Sequence, residues 1–600
     1  MSASRLLDRR DLEFVLYEML EGESLPQLPR YAEHSRETFD AALDAAERIA
    51  AEKYADHNRK ADLDEPRVED GQVRLVPEVK DALEAYIAAG FLAAEQDYGR
   101  GGMQLPYTVA AACGAYFTAA NAGTNAYAFL TRANANLLLA FGTAEQIERY
   151  ALPQLAGRYF GTMCLSETQA GSSLGDLKTT ARPRADGRYG IVGSKMWISA
   201  GDHELAENIV HLVLARIDGA PAGVAGISLF IVPKWRVEAD GSRGARNGVT
   251  LTGLNHKMGY RGTVNCVLAF GAEGDCIGEL VGRPHEGLGA MFHMMSEARI
   301  GVGLGAAALG YTGYLHSLAY ARERPQGRCL EHRDPDSPQV PIIEHADVRR
   351  MLLAQKAYVE GALALGLYAA RLVDLERAAA TADERQEALL LLDLLTPVVK
   401  SWPSQWCLEA NALAIQVLGG YGYARDYPVE QFYRDNRLNA IHEGTHGIQA
   451  LDLLGRKVLR DRARGLELLR GRMQATIAGV AETSILIEHG RQLDAASAAL
   501  AATTRALEEA WPSDPALTLA NASVYLDVFA TTVVAWLWLE QARTAVRQLD
   551  HAASSDSAFY EGKLRACRYF FRWELPRTEP LHELLRTLDD SCAGMPAECF

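Results

Sequence analysis

Nothing in this 600-residue chain reads as a leader or a membrane span. The opening residues MSASRLLDRRDLEF interrupt with charges the apolar core that a signal peptide needs, and no later run reaches the ~18 apolar residues of a spanning helix. A cytoplasmic location is expected. Clustered Lys and Arg are also scarce: the formal charge is -16 and basic runs are short and isolated, which excludes a nucleic-acid surface as the main function. Cysteines are few and scattered. The nine thiols, Cys113, Cys164, Cys266, Cys276, Cys329, Cys407, Cys567, Cys592 and Cys599, form no C-x-x-C pair and are expected to be reduced and mostly buried. There is no Walker A loop and no G-x-S-x-G elbow, and His285 and His293 have no cysteine partners for a structural metal. Gly301-x-Gly303-x-Gly305 comes closest to a dinucleotide fingerprint. It follows no strand and lies in a helical run, so it is read as small residues permitting close helix packing.

What is present is an ordinary globular composition, 48% hydrophobic and 23% charged, in a chain long enough for two to four domains of about 150 residues each. From about residue 35 to 160 apolar residues recur at helical spacing. The rhythm then changes to period two in YGIVGSKMWIS, NIVHLVLARI, GISLFIVPKW, GVTLTGL and NCVLAFG, separated by turn residues. After Gly289 the helical period returns to the end, broken by a proline-bearing insertion from Pro325 to Pro341. This predicts an α+β multidomain chain. Its expected parts are an N-terminal helical domain (1–160), a middle β-barrel or sandwich (161–280), a C-terminal four-helix bundle (281–458) and an extra C-terminal helical domain (459–600). Trp536 and Trp538, in TTVVAWLWLEQA, are expected in a core or interface.

Two chemistries compete for His442-Glu443-Gly444-Thr445-His446. As H-E-x-x-H the segment would place two zinc-binding histidines on one helical face. That requires a helix already running through Gly444, a poor helix interior residue. Thr445 is a good N-cap, and the apolar rhythm Ile448, Leu451, Leu454, Val458 starts only after it. The helix is therefore predicted to begin near Thr445, leaving His442 in the preceding turn and Glu443 on a loop at a helix N-terminus.

Other segments carry a consistent signal. Cys164-Leu165-Ser166-Glu167-Thr168-Gln169-Ala170-Gly171-Ser172-Ser173 is a small, hydroxyl-rich loop expected to join the first helical region to the first strand. Lys195-Met196-Trp197-Ile198-Ser199 lies on a predicted strand. Arg299 is expected to open a long helix ending at Arg324-Pro325-Gln326-Gly327-Arg328. Gln416-Val417-Leu418-Gly419-Gly420-Tyr421-Gly422-Tyr423, YPVEQFYRD and Ile441–Thr445 follow.

With these motifs in this order, the chain from about residue 40 to 457 resembles the acyl-CoA dehydrogenase family, and its length and C-terminal extension resemble the subgroup of about 600 residues. The resemblance implies FAD as cofactor, an acyl-CoA substrate, an electron-transfer flavoprotein as acceptor and a homo-oligomer, a dimer being favoured. Glu443 is implied to be the base that removes the α-proton while the β-hydrogen leaves as hydride to the flavin. Desolvation is expected to raise its pKa. Met163, Leu165, Ser166, Trp197, Ile198 and Ser199 are implied to line the flavin ring. Arg324 and Gln326 are implied to reach the FAD pyrophosphate of a neighbouring subunit, Gln416, Gly419 and Gly420 its adenosine end, and Thr445 a phosphate or ribose. Ser172, Arg299 and Gly444 are implied substrate contacts. Some relatives carry the base just before the arginine matching Arg299, where this chain has Ala298, with Glu297 one residue off. The chain departs from the family pattern at Thr168 for proline, Gln169 for glycine, Ser173 for aspartate and His442 for tyrosine. His442 could tune the adjacent base or simply pack beside it.

The implied reaction is α,β-dehydrogenation of a straight, medium to long fatty acyl-CoA to the trans-2-enoyl-CoA in β-oxidation. Alternatives are an acyl-CoA oxidase using O2, a zinc hydrolase through His442 and His446, and a non-catalytic acyl-CoA-binding or assembly protein. The last would have no use for Glu443.

Overall fold

The five runs between residues 189 and 270 all form strands: Tyr189–Ser199, Asn208–Ile217, Ile227–Pro233, Val249–Leu254 and Asn265–Phe270. These come from a computed structural model that describes residues 5–328, 334, 336–549 and 553–600. Cys329 and the side chain of His293 lie outside the described residues. The chain divides into two units, Asp40–Pro106 with Tyr116–Ala298, and Met1–Phe39 with Tyr107–Ala115 and Arg299–Phe600.

The first of these units holds the sheet. Tyr159–Cys164, Thr180–Pro183 and Ile277–Val281 complete eight strands. Tyr189–Ser199 pairs with Ile277–Val281, which pairs with Ile227–Pro233, then Asn208–Ile217, then Thr180–Pro183, which returns to Tyr189–Ser199. The path closes on itself, so this is a small barrel with no free edge along the ring. Asn208–Ala215 are buried without a break. Both faces of that strand are covered, which explains why NIVHLVLARI reads as a continuous apolar run more than as an alternation. Leu137, Leu138, Tyr150, Leu212, Leu214, Leu229 and Ile231 belong to its core. Two features differ from the expectation. The loop after Cys164 leaves a strand already formed at Tyr159–Cys164, and a short hairpin, Arg67–Glu69 with Gln72–Arg74, interrupts the N-terminal helices. A three-residue strand is too short for periodicity to register.

The other unit is helical. Ala346–Ala378 and Ala382–Leu418 are joined by three residues, and Thr381 with Glu384 makes a capping box at the start of the second helix. Gly303, in the helix Gly287–Glu323, is needed for packing: a Cβ there would lie 1.9 Å from the Val399 carbonyl oxygen. The same helix continues well before Arg299, which therefore sits in its interior and does not open it. The helices after residue 459 lie in this same unit, where Trp538 donates to the Ala357 carbonyl at 3.1 Å and Trp536 to Thr476 at 2.7 Å. Ala522–Leu549, contrary to expectation, is long and apolar enough to cross a membrane by length and composition, and most of it is buried inside the protein. Six of the described thiols are buried, while Cys592 and Cys599 are exposed.

A buried polar cluster ties the ends of this unit together. Lys563 donates to Asp11, to Glu360 at 2.8 Å and to Gln541 at 2.9 Å, Lys356 also pairs with Glu360, and Tyr311 donates to Asp11 at 2.8 Å. Lys563→Met should destabilise the protein by about 2–3 kcal/mol. That is less than the ~3–5 typical of stranding a buried charge, because Lys356 still faces Glu360. Asp11, its carboxyl already raised to about 6 by burial and Glu360, can also take up a proton. Chemical denaturation of the two proteins measures this, and a difference under about 1 kcal/mol would refute it.

Candidate active site

The sheet unit carries an exposed aromatic platform. By simple alternation Trp197 should face the same side as Ile191 and Lys195. A bulge in the pairing with Asn265–Phe270 intervenes: Ile198 opposes Cys266 and Lys195 opposes Leu268, so two residues face the single Val267. The phase inverts there, Trp197 takes φ 65° and its side chain is 56% exposed, while Ile198 turns inward at 2%. An exposed indole on a rigid strand fits a stacking surface for an aromatic ring. Ile198 has only its backbone left for a ligand.

The adjacent loop is fastened by a buried ion pair. Lys195 donates to Glu167 and to the Leu165 carbonyl, each at 2.9 Å, and Met196 N–H donates to the Ser166 carbonyl at 2.9 Å. Glu167 also accepts from the Thr179 hydroxyl and N–H, from Lys178 N–H and from Gln169. Burial would raise the Glu167 carboxyl, but Lys195 and these donors outweigh it and hold it at about 2. Reciprocal bonds between Glu167 and Ala170 close the turn, so Thr168 and Gln169 are accommodated without the proline and glycine of the family pattern. Met163 is buried in the strand before this loop, Leu165 and Ser166 are half-buried, and Ser172 is exposed. The Ser199 hydroxyl accepts from Asn265 at 3.1 Å.

The candidate carboxylate lies in the helical unit. Thr445 caps the helix His446–Leu451, its hydroxyl accepting from Ile448 N–H at 3.3 Å. The helix thus starts where the sequence placed it, and the preceding Glu443 and Gly444 are both left-handed, at φ 55° and 92°. His442 and His446 consequently do not share a helical face. Among the described residues no group of three His, Cys, Asp or Glu is arranged to hold a metal. His442, held by Asn439 at 3.1 Å, is pushed down to about 3 by burial and by Lys400, so it carries no charge beside the base at neutral pH. Burial raises the Glu443 carboxyl against the opposing pull of Arg299 and Lys400.

Several of the expected contact residues also have partners within the chain. Arg299 is buried and pairs with Asp452 at 2.9 Å, leaving its Nε without a partner among the described residues. Arg324 lies just past its helix with the guanidinium 5.3 Å from the Tyr421 ring, and Gln326, exposed, is fixed through its backbone to Val340 and His345. Gln416, Gly419 and Gly420 form an exposed edge, Gly419 at φ 61° and Gly420 with open space where a Cβ would be. Glu297 accepts from Asn136 at 3.1 Å. Sequence reasoning missed Lys400 and Gln449, which donate to the carbonyls of Gly444 and Glu443. Gln449, at i+4 from the cap residue Thr445, was within reach of a pattern argument, but Lys400, far off in the chain, was not.

Three family profiles match in succession: acyl-CoA dehydrogenase middle domain over residues 162–272, acyl-CoA dehydrogenase C-terminal domain over 285–459, and acetyl-CoA dehydrogenase C-terminal like over 469–596. The chain is 34% identical over 583 residues to 3-methylmercaptopropionyl-CoA dehydrogenase of Ruegeria pomeroyi, covering 97% of this chain and 98% of that protein. It is 35% identical over 615 residues to the broad-specificity linear acyl-CoA dehydrogenase of Mycobacterium tuberculosis, covering 98% and 99%. The fold is also that of an acyl-CoA dehydrogenase complexed with FAD from Bacillus anthracis, with a TM-score of 0.73, 19% identity and 94% and 90% coverage. Caenorhabditis elegans ACDH-11 in complex with C11-CoA gives a TM-score of 0.75 at 19% identity, with 98% and 95% coverage. Acyl-CoA dehydrogenases use FAD, and the exposed Trp197 with its tethered hydroxyl loop is a surface of the kind such a ring requires. Since relatives more than 30% identical align over nearly their whole length, and the carboxylate turn stands where the motifs placed it, the chain belongs to the acyl-CoA dehydrogenase family.

Proposed function

We propose that the protein removes the α-proton of a straight-chain acyl-CoA with Glu443 and forms the trans-2-enoyl-CoA, within fatty-acid β-oxidation. The observation that carries this reading is the Glu443 turn, a carboxylate raised in pKa by burial and presented on a left-handed backbone just before a capped helix. An α-proton is too weakly acidic for a solvated carboxylate, and desolvation brings the two affinities closer. FAD, when bound, would supply the hydride acceptor for the β-hydrogen. Trp197, Leu165 and Ser166 hold the ring, with Glu167 and Lys195 holding the loop. Gln416, Gly419, Gly420 and Thr445 bind the rest of the cofactor, Arg324 and Gln326 that of a second subunit, and Ser172 the thioester end of the substrate. Electrons pass on to an electron-transfer flavoprotein, in a cytoplasmic homodimer. Medium to long straight chains are the proposed substrates, and the likeness to a broad-specificity linear acyl-CoA dehydrogenase supports a straight chain.

Anaerobic titration with butyryl-, octanoyl- and palmitoyl-CoA tests the reading. Bleaching of the flavin band near ~450 nm ranks the chains by rate and extent, and a band that stays unchanged with all three would refute it. The pH profile is a separate check. Glu443 must be ionised to act, and its pKa is raised, so kcat/KM should fall as pH drops through a midpoint above the ~4.3 of a solvated glutamate. A midpoint at or below that value would show that the base is not desolvated.

A further inference from the structure

Glu443 and Gly444 place two left-handed residues in succession. For glutamate this backbone is unfavourable and persists only where the surroundings over-determine it. The surroundings here are two long side chains. Gln449 Nε2 donates to the Glu443 carbonyl at 3.0 Å, and Lys400 Nζ, reaching across from the helix Ala382–Leu418, donates to the Gly444 carbonyl at 2.7 Å. Both residues are fully buried. Gly444 is required for this arrangement, since a Cβ would lie 2.6 Å from the Gln449 amide nitrogen. We propose that Lys400 and Gln449 are positioning residues for the base, locking the turn through its two consecutive carbonyls so that the Glu443 carboxylate is held in one place.

A merely structural role explains Lys400 poorly. Burying an ammonium is unfavourable, and an apolar residue would pack the helix better. Burial and Arg299 push Lys400 down to about 7, against the opposing charge of Glu443. The groups facing it are Glu443 and His442 on the turn, His446 on the next helix and Arg299, itself neutralised by Asp452. Both histidines have lowered pKa values, so Glu443 is the anion that the lysine serves.

The inference rests on the reading of Glu443 as the base, and the experiment separates the two. Lys400→Met and Gln449→Met each remove a donor while keeping side-chain length, and Glu443→Gln is assayed beside them. The readouts are kcat per bound flavin, KM for octanoyl-CoA, FAD content, and the primary isotope effect with substrate deuterated at Cα. Each methionine variant should lose roughly 10- to 100-fold in kcat, the scale expected for a misplaced reacting group. The isotope effect should grow while KM and FAD content stay near the parent's. If both variants keep the parent's kcat per flavin and isotope effect, the positioning role is overturned. If Glu443→Gln itself turns over at the parent's rate, the assignment of the base fails, and this inference with it. Should Lys400→Met fail to fold, Gln449→Met decides the matter by the same readouts.

Discussion

Glu443→Gln lowers kcat by roughly 10³-fold or more, equivalent to about 4 kcal/mol in the barrier, with FAD content and Tm close to the parent's. The size follows from what is removed. Glutamine has nearly the same shape and keeps a hydrogen-bonding oxygen, so the turn, which is held through main-chain carbonyls by Lys400 and Gln449, does not depend on the side chain that changes. What disappears is proton affinity at one atom. Anaerobic stopped-flow bleaching measures the loss, and a variant reduced by octanoyl-CoA at the parent's rate would move the search for the base to Glu297. A second signature is stability: burial disfavours the ionised carboxylate by more than Arg299 and Lys400 favour it, and Lys400, already lowered to about 7, can release its proton once the anion is gone, so the amide should unfold no earlier than the parent at neutral pH.

Lys195→Met should have the largest effect on stability, about 3–5 kcal/mol, with loss of bound FAD. Glu167 would remain buried with its charge facing no cation, and the Leu165 carbonyl would lose its donor. Chemical denaturation and the flavin absorbance of the purified protein measure the two consequences. A variant that retains full FAD content and unfolds within about 1 kcal/mol of the parent would show that the pair does not hold the loop. Acid should act on the parent in a related way. The folded Glu167 carboxyl is depressed to about 2 from an unfolded value of ~4.3, so its contribution is complete above ~4.3 and is lost as pH falls towards about 2. Glu167→Gln should lack that part of the acid sensitivity.

Much of this protein follows from local sequence. The runs from Tyr189 to Phe270 became strands because alternation and continuous apolar stretches report burial on one face or two. The helix at His446 began where Thr445 could cap it and Gly444 could not continue one, which disposed of the shared helical face that zinc ligation through H-E-x-x-H needs. Gly303 marked a close helix crossing. All of these depend on a residue and neighbours within one turn or one strand of it.

Tertiary structure decided what depends on partners distant in sequence. Strict alternation along the strand would turn Trp197 inward with Lys195, and only the pairing with Asn265–Phe270 introduces the bulge that turns it out. Arg299 looked like a helix start, and only the fold shows that it sits inside a helix with its guanidinium paired to Asp452, 153 residues away. The apolar helix Ala522–Leu549 could suit a bilayer by composition, and its burial within the protein is set by the helices around it. The sequence named Glu443. That its backbone is left-handed, its carboxyl raised and the carbonyls of its turn held by Lys400 and Gln449 emerges only when Lys400 is brought back to a turn 44 positions further along the chain, because desolvation and charge act through space and leave no period in the sequence.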